Sequence, residues 1–320
     1  MREPWMTPLA AGIDIGIDIG GTKTHLRAYD ASGSHRDLIL PTLEWRMREW
    51  APDAAALLRV AKKFAAGAPI TRMAVGAHGC DDESECIAFE SALAAHASFP
   101  VKVVNDAELL PAALGLTHQI GLVAGTGSIA VCRDRDGRML VAGGWGWIIG
   151  DDGSASGLVR EAARAVALHL DYGGTPDEPL VRLLFEALAI PSAARIGSAV
   201  ARQGGAAALG SHAPIVFEAA MRGSPIAGQV IREGARELAD LVARLRRTGS
   251  DATIVVAGGS VIASQPLLAD AFVDEVALRF EGRVTAKLYP GPPVEGACRL
   301  AASLTLPGTA DAMPPVPSRV

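Results

Sequence analysis

The sequence predicts an α/β protein made of two similarly organised halves. Apolar, strand-like segments alternate with segments of helical spacing along most of the 320 residues, and this alternation indicates parallel strands covered by helices. Each half opens with an apolar strand, a glycine loop and two further strands joined by turns, which is typical of an antiparallel meander. The repetition is one of topology more than of sequence, and we expect two domains.

Composition and charge exclude several classes of protein. Hydrophobic residues make up 49% of the chain, so a sizeable core is expected. The formal net charge is −5, so nucleic acid or an anionic membrane is not expected as the main partner. The four cysteines form no CxxC pair, which suits a reduced cytosolic protein. The first twelve residues lack the apolar core of a signal peptide, and no apolar run approaches the ~20 residues that span a bilayer. We therefore expect a cytoplasmic protein.

The first half begins with the run IDIGIDIGGTKT at residues 13–24. Its alternating isoleucines predict a strand, and Gly20-Gly21 allows a sharp turn and close approach to a ligand because no Cβ stands in the way. The plain alternative is a simple hairpin turn. The groups that this pattern offers to a ligand are the Thr22 and Thr24 hydroxyls for phosphate, and Asp18 for Mg²⁺, directly or through water.

Strands and helices follow in an order that predicts a mixed sheet in each half. The segment to Leu40 is a three-stranded meander and not a strand feeding a helix, which excludes a P-loop. In the first half we then expect helix 52–66, strand 73–77, a helix from about residue 83, strand 101–104 and helix 107–116. In the second half we expect strand 120–124, a hairpin to residue 144, helix 154–170 capped by Ser154, helices across 179–247, strand 253–257, helix 265–280, strand 284–288 and a last helix near 295–305.

These elements predict domain boundaries. Residues 1–117 form an N-terminal domain and residues 118–306 a C-terminal domain, although the helix near 295–305 is allowed to pack back on the first domain. The proline-rich tail at 307–320 is expected to be flexible.

Four glycine or acidic turns stand at the ends of predicted strands, where α/β proteins tend to bind ligands. The loop at Gly125 also matches a GxGxxA dinucleotide pattern, but that pattern requires a following helix. A hairpin with an Asp-Gly turn follows here, so NAD binding is excluded. The four turns are Gly20-Gly21-Thr22, Asn105-Asp106, Gly125-Thr126-Gly127-Ser128 and Gly258-Gly259.

The motifs together resemble a known family. The chain is similar to the N-acetylglucosamine kinase branch of the BadF/BadG/BcrA/BcrD ATPase family, in the superfamily of sugar kinases, actin and heat-shock chaperones. The resemblance covers roughly residues 12 to 305, and the GTGS and GGWGxxxGDxGS pair is its most specific part. The motifs are DIGGTKT at 18–24, NDAELL at 105–110, GTGS at 125–128, GGWGWIIGDDGSASGL at 143–158, VVAGGSV at 255–261 and PPVEGA at 292–297.

The resemblance implies two actin-like, ribonuclease H-like domains with a nucleotide cleft between them. It implies an ATP-dependent sugar kinase in which Asp106 is the base and Asp18 orients Mg²⁺. It further implies a homodimer. Because each half carries one phosphate loop, we also expect substrate binding to draw the two halves together and exclude water. The implied ATP-binding residues are Gly20, Gly21, Thr22, Lys23, Thr126, Gly127, Ser128, Gly258 and Gly259, and the implied sugar-binding residues are Asn105, Asp106, Gly144, Trp145, Asp151, His78 and Gly79.

Five of these residues also have a simpler structural interpretation. Asp106 begins a predicted helix, where an aspartate is common as a cap or near-cap residue. Trp145 is equally suited to packing, and Asp151 to complementing a helix dipole. His78 suits a structural role as well, and Lys23 suits either phosphate or solvent.

The sequence departs from the family pattern at three places. Asp14 duplicates Asp18 on the same strand face, roughly 13 Å away, and only Asp18 abuts the glycine turn. The loop after the third strand lacks the asparagine that helps hold the sugar in this branch and carries Trp45, Arg46 and Arg48. These arginines indicate either a solvated loop or a substrate with an acidic group. The third departure is Asp-Asp after Gly150 in place of Asp-Glu, a harmless change.

The leading functional hypothesis is a kinase of an amino sugar, most simply N-acetylglucosamine, acting on its 6-OH. Glucosamine or another, acidic sugar is the alternative substrate. An ATPase activator of a dehydratase needs closely spaced cysteines for an iron–sulfur cluster, and Cys80 and Cys86 lack that arrangement. A sugar-sensing repressor needs a DNA-binding head, for which about twelve residues before the first strand are too few.

Overall fold

The computed structural model of the chain describes residues 12–29 and 32–306. The expectations about a leader and a flexible tail concern residues 1–11 and 307–320, which lie outside the described residues. Among the described residues, none of the helices has the length and apolarity to cross a membrane.

The chain forms two compact units. The first comprises the residues up to Thr117 together with those from Gly291 onward, and the second runs from His118 to Pro290. The return of the chain to the first unit at Gly291 includes the C-terminal helix that the sequence allowed to pack there.

The first unit has a five-stranded mixed sheet in the order β3-β2-β1-β4-β5. Strands β1 to β3 form the expected antiparallel meander, β4 pairs in parallel with β1, and β5 pairs in parallel with β4. The strands are β1 (Ile13–Ile19), β2 (Lys23–Tyr29), β3 (His35–Pro41), β4 (Ile70–Ala77) and β5 (Val101–Val104), and the unit's helices are α1 (Trp50–Ala65), α2 (Glu83–Ala94), α3 (Leu109–Ala113) and α12 (Val294–Ser303).

The second unit repeats this topology. Its sheet has the order β10-β9-β6-β7-β8, with an antiparallel meander followed by two parallel strands. Its strands are β6 (Ile120–Ala124), β7 (Ser128–Arg133), β8 (Met139–Gly143), β9 (Ile254–Gly258) and β10 (Thr285–Leu288). Its helices are α4 (Ala155–Asp171), α5 (Pro179–Ala187), α6 (Ile196–Ala201), α7 (Ala206–Gly210), α8 (Pro214–Met221), α9 (Pro225–Arg247), α10 (Ser260–Ser264) and α11 (Pro266–Arg279).

The central strand β1 explains how the first core is built. Its four isoleucines are completely buried, and because successive side chains point to opposite faces of a strand, the residue between them, Gly16, faces the other way. A Cβ on Gly16 would lie 2.5 Å from the backbone nitrogen of Cys298. The absence of a side chain at Gly16 therefore lets α12 pack directly against β1.

The helix predicted over 107–116 is shorter than expected. Residues Asp106–Glu108 form a 3-10 turn and α3 ends at Ala113. Gly115 then adopts a left-handed conformation with φ 68°, which a regular helix does not accommodate. The prediction for this segment was therefore wrong in length, although its place after β5 was right.

Candidate functional site

The predicted site residues of the first unit gather at one edge of its sheet. Strands β1, β4 and β5 are parallel, so their carboxyl ends, and the turns that follow them, lie side by side. The backbone N–H of His78, after β4, donates to the carbonyl of Ile19 at the end of β1 (2.8 Å). A Cβ on Gly21 would lie 3.5 Å from the His78 imidazole. The fold thus brings the glycine turn and the His78 segment together.

The glycine turn is anchored from behind and exposed in front. The Thr42 hydroxyl donates to the carbonyl of Gly20 (2.9 Å), and the Thr42 N–H donates to the carbonyl of Thr22 (2.9 Å). Gly21, Thr22 and Lys23 are exposed. An anchored turn with exposed backbone and a lysine has the chemistry to bind phosphate oxygens.

Thr24 does not belong with these exposed groups. Its side chain is completely buried, and its hydroxyl bonds to the Thr42 hydroxyl (3.0 Å) and accepts from the Trp45 indole N–H (3.1 Å). The expectation that Thr24 faces phosphate was therefore wrong, because Thr24 is the first inward-facing residue of β2 and its side chain packs inside the fold.

Asn105 holds the turn that presents Asp106. Its side chain accepts from the Ala107 N–H (2.9 Å) and donates to the carbonyl of Cys80 (3.0 Å), and Glu108 completes a capping box around it. The cap of this turn is therefore Asn105, and Asp106 is the acidic residue next to the cap. Asn105 itself is completely buried.

Asp106 keeps one carboxylate oxygen without a partner. Its Oδ1 is buried and accepts no hydrogen bond from the described residues. Burial raises the pKa of Asp106, the negative charge of Asp81 adds to the rise, and His78 opposes it. A buried acceptor without a donor is costly, so this oxygen is suited to receive a hydrogen bond from a ligand.

Asp18 and Asp106 influence each other. Burial raises the pKa of Asp18 to about 7, the charge of Asp106 contributes to the rise, and Lys23 lowers it. Two carboxylates that repel each other across a site favour a bound cation or proton between them. The pair therefore concentrates negative charge behind the exposed glycine turn.

The donor set fits Mg²⁺ better than a metal held by protein alone. Among residues 12–29 and 32–306, no group of three or more His, Cys, Asp or Glu side chains could hold a metal ion. Mg²⁺ commonly keeps several waters and is bound through one or two carboxylates together with substrate phosphates. Asp18 fits this role, because the nearby negative charge of Asp106 destabilises its carboxylate and a bound cation would offset that repulsion.

The loop after β3 is organised by a buried aspartate. Asp53 is completely buried and accepts from the backbone N–H groups of Met47 (2.6 Å) and Arg48 (3.1 Å). Trp45 is buried against Thr24, and Arg46 donates from Nη1 to the carbonyl of His78 (2.6 Å). The loop that departs from the family pattern is thereby fixed beside the predicted sugar side of this unit.

In the second unit the two predicted nucleotide loops are adjacent. Gly125–Ser128 joins β6 to β7, and Gly258-Gly259 follows β9, which pairs with β6. A Cβ on Gly125 would lie 3.5 Å from the Ser260 hydroxyl, and one on Gly259 would lie 2.6 Å from the carbonyl of Ala124. Gly259 also has φ 108°, so glycine is required for this close approach.

Asp151 lies against the Gly125–Ser128 loop. It adopts a left-handed conformation (φ 58°) and its carboxylate accepts from the Ser128 N–H (3.2 Å). A Cβ on Gly127 would lie 2.7 Å from this carboxylate. The predicted sugar residue Asp151 is thus brought together with the phosphate loop of its own unit.

The segment from Gly144 to Asp152 presents Trp145 outward. Gly144 has φ 74°, and Trp145 is 70% exposed, so Trp145 is not a core anchor, whereas Trp147 packs against the core. Arg160 of α4 donates to the carbonyls of Trp147 and Gly150 and to the Asp152 carboxylate.

Arg160 and Asp53 are the supporting residues that sequence reasoning missed. Each acts on backbone groups of a loop, and such contacts leave no spacing signal. For Arg160 and for Asp53, the one hint in the sequence is a charged residue within the otherwise apolar face of an amphipathic helix.

Two cavities lie elsewhere in the second unit, along α4 and α9. They measure about 300 Å³ and 380 Å³ and share Glu161, Arg164 and Glu233. None of the predicted ATP-binding residues lines them. The chemistry of phosphate binding is concentrated at the strand-end turns, which are therefore the candidate site.

Comparisons with known proteins agree with this fold. A provisionally assigned N-acetylglucosamine kinase from Chromobacterium violaceum matches with a TM-score of 0.64 at 25% identity, over 91% of this chain and 99% of that one. A ROK family glucokinase from Streptomyces griseus, solved with glucose and AMPPNP, matches with a TM-score of 0.57 at 20% identity, over 91% and 98% of the two chains. The actin-like topology of both units is therefore confirmed.

A curated relative matches over a shorter segment. An N-acetylmuramic acid/N-acetylglucosamine kinase from Clostridium acetobutylicum is 32% identical over 139 residues, which are 42% of this chain and 45% of that kinase. The alignment thus spans less than half of the relative. The model of the BadF/BadG/BcrA/BcrD ATPase family matches residues 15–298, and the chain belongs to that family.

Proposed function

We propose that the protein is an ATP-dependent carbohydrate kinase that transfers the γ-phosphoryl group of ATP to a hydroxyl of an amino sugar. The proposed substrate is N-acetylglucosamine, phosphorylated on its 6-OH, with glucosamine or an acidic amino sugar as the alternative. The observation that carries the proposal is the buried, unpartnered Oδ1 of Asp106. Leaving such an atom unpaired costs about 1–3 kcal/mol, and a sugar hydroxyl is the donor that would satisfy it.

Asp106 acts as the general base in this proposal. The hydroxyl donates to Asp106 and passes its proton to it as phosphoryl transfer proceeds. Burial raises the pKa of Asp106, which makes the carboxylate a stronger base than an exposed aspartate. Asn105 keeps the carboxylate in place through the buried capping box, so the base is oriented before the sugar binds.

The exposed turn Gly20–Lys23 binds phosphate in this proposal. Phosphoryl transfer depends on positioning and on stabilising charge more than on covalent chemistry. The N–H groups of Gly21 and Thr22 and the Lys23 ammonium supply that stabilisation. Asp18 holds Mg²⁺, which when bound neutralises phosphate charge.

The loops of the second unit are proposed to bind the remaining parts of ATP. Thr126, Gly127 and Ser128 present backbone and hydroxyl donors, and Gly258-Gly259 allows close approach of the adenosine. The adjacency of the two loops within this unit supports the assignment.

The proposed sugar contacts rest on different observations. His78 and Gly79 border the glycine turn and the arginine loop, which supports their assignment. The amide of Asn105 is engaged by Cys80 and Asp81, so we assign it to positioning Asp106. Gly144, Trp145 and Asp151 are proposed from the family pattern, and exposure of Trp145 supports a contact with a ligand. The homodimer is likewise a proposal, to be measured by light scattering.

A panel of sugars tests this function. Purified protein is mixed with ATP, Mg²⁺ and N-acetylglucosamine, glucosamine, N-acetylmuramic acid or glucose, and ADP release is followed. We expect release that depends on an amino sugar and a product whose ³¹P spectrum shows a phosphomonoester on C6. ADP release at the same rate with and without each sugar would contradict the proposal.

A further inference from the structure

Two arginine side chains converge on one point of the first unit, at Gly79. The position that a Cβ on Gly79 would occupy lies 3.4 Å from Nη1 of Arg48 and 3.8 Å from Nη2 of Arg46. Gly79 follows β4 at the same sheet edge as His78 and Asp106. The two guanidinium groups therefore flank a point beside the proposed base, with no side chain of residue 79 between them.

Arg46 is buried in this position without a full set of partners. Its side chain is only 4% exposed, and its Nη1 donates to the carbonyl of His78. Its Nε has no hydrogen-bond partner among the described residues, the nearest carboxylate oxygen being Oδ2 of Asp53 at 3.6 Å. Buried guanidinium N–H groups are normally paired, so this side chain has hydrogen-bonding capacity to spare.

Arg48 is held in place by its backbone and not by its side chain. Its φ is 63°, an uncommon conformation for a residue other than glycine, and its N–H donates to Asp53. Its guanidinium has no ion-pair or hydrogen-bond partner within residues 12–29 and 32–306. The loop thus fixes the arginine beside Gly79 and leaves its charged end available.

The carboxylates around the pair do not neutralise both arginines. Asp53 forms a 3.6 Å ion pair with Arg46 while its oxygens also accept from two backbone N–H groups, and Asp81 accepts from the Asn105 side chain. Burial lowers the pKa of Arg46, and the charge of Arg48 adds to that effect, while Cys80, Asp53 and Asp106 oppose it. A further anion between the arginines would offset their mutual repulsion.

We propose that Arg46 and Arg48 bind the carboxylate of an acidic amino sugar, and that they are the specificity determinants of this kinase. This inference rests on the proposed function. Paired guanidinium groups suit a carboxylate because their N–H donors match its two oxygens. N-acetylmuramic acid is the natural probe, since it is N-acetylglucosamine with a carboxylate-bearing lactyl ether at C3.

A matched set of sugars isolates the carboxylate. The kcat/KM of N-acetylmuramic acid is compared with that of its methyl ester, which keeps the shape and removes the charge, and with that of N-acetylglucosamine. For the wild type we expect the acid to be favoured over its ester by about tenfold or more, the value of a hydrogen-bonded charge.

Variants identify the residues responsible. Arg48→Gln keeps most of the side-chain length, and because the side chain is exposed and unpaired the fold should persist. We expect the preference for the acid over the ester to fall about tenfold or more in Arg48→Gln. Arg46→Lys keeps the positive charge but removes the guanidinium group that can donate two parallel hydrogen bonds, so it should also reduce the preference for the acid over the ester. Arg59→Gln, at an exposed arginine of α1, is the control and should leave the ratio and the overall rate unchanged.

Failure of this inference is distinguishable from failure of the proposed function. If the wild type phosphorylates N-acetylglucosamine but prefers the ester or rejects the acid, the inference alone is overturned. The same holds if Arg48→Gln keeps the wild-type preference for the acid over the ester. A wild type inactive on every sugar would overturn both.

Discussion

The two aspartates of β1 have opposite surroundings although they lie on the same strand face. Asp14 accepts from the Thr71 hydroxyl (2.7 Å) and from two nitrogens of Arg72 (2.9 and 2.5 Å). Among residues 12–29 and 32–306, Asp18 forms no such ion pair; burial and the charge of Asp106 raise its pKa, and only the charge of Lys23 opposes the rise. The sequence favoured Asp18 because it abuts the glycine turn, but the role of Asp14 depended on partners on another strand. Asp14 is a structural anchor between β1 and β4.

This difference predicts opposite phenotypes for the two asparagine variants. Asp14→Asn weakens a partly buried ion pair, so we expect a loss of about 1 kcal/mol in the free energy of unfolding and nearly unchanged kcat. Asp18→Asn should retain the fold and lose at least about 100-fold in kcat, as expected when a charge-stabilising contact is removed. Urea titration and steady-state kinetics of both variants measure these effects. Equal kinetic losses in the two variants would contradict the assignment.

Asp37 predicts a pH dependence of stability. The hydrogen bond from Arg27 lowers the pKa of Asp37 below its ordinary value of 3.8, with His25 as a second donor. A carboxylate with a lowered pKa stabilises the fold above its unfolded-state pKa, and the contribution is lost as the pH falls through the folded value. Asp37 is partly exposed, so the contribution is under about 1 kcal/mol.

The comparison with Asp37→Asn tests this sign. At pH 7 the wild type should have the larger free energy of unfolding, and the difference should shrink as the pH falls below 3.8. Urea titrations of both proteins at several pH values give the difference directly. A difference that grows toward acid would show that Asp37 has the opposite linkage.

At the level of elements, strands were predicted more accurately than the segments between them. Strand 101–104 and strand 120–124 have the predicted bounds, because apolar runs and flanking glycines or polar turns are local signals. The length of α3 and the path of the arginine loop were not predictable in this way. The helix α3 is followed by the left-handed Gly115. The loop is fixed by specific contacts that leave no periodic pattern, such as the Asp53 carboxylate that accepts from two backbone N–H groups and the bond from Arg46 to the carbonyl of His78.

The packing of α12 on β1 predicts the effect of adding one methyl group. In Gly16→Ala the Cβ would lie 2.5 Å from the Cys298 backbone, and backbone on both sides resists adjustment. We expect a loss of about 1–3 kcal/mol in the free energy of unfolding, typical of overpacking, measured by urea denaturation.

Gly197→Ala is the matched control. Gly197 lies in α6, and nothing is within 4 Å of its added Cβ. Alanine should stabilise that helix by about 0.5–1 kcal/mol. If both variants changed stability equally, close approach of α12 to β1 would not be the cause.

For the whole molecule, the repeated topology of the two units was predictable, and the partners of the site residues were not. Both sheets have the same strand order and direction, as the matching pattern of glycine loops and meanders indicated. Three-dimensional packing determines that Oδ1 of Asp106 has no hydrogen-bond donor among the described residues and that the two arginines lie beside Gly79. Sequence motifs therefore identified candidate residues, and the structure supplied the contacts on which their proposed roles rest.

The distribution of cysteines gives a prediction for the whole chain. All four lie in the part of the chain that the structure describes, where they are buried and form no disulfide. Burial raises the pKa of Cys298 to about 12. Because the thiolate is the reactive form, we expect slow labelling of every thiol by a disulfide reagent in the native protein. All four should react rapidly in guanidinium chloride. One thiol that reacts within seconds under native conditions would show that part of a core is open.

The most direct test of the proposed function compares the wild type with Asp106→Asn. Asparagine preserves the shape of the side chain but accepts no proton, so sugar-dependent ADP release should fall by about 10²–10⁴-fold in kcat. Binding of N-acetylglucosamine, followed by calorimetry, should persist in the variant. An Asp106→Asn enzyme that retains the wild-type rate with this sugar would contradict the assignment of Asp106 as the base.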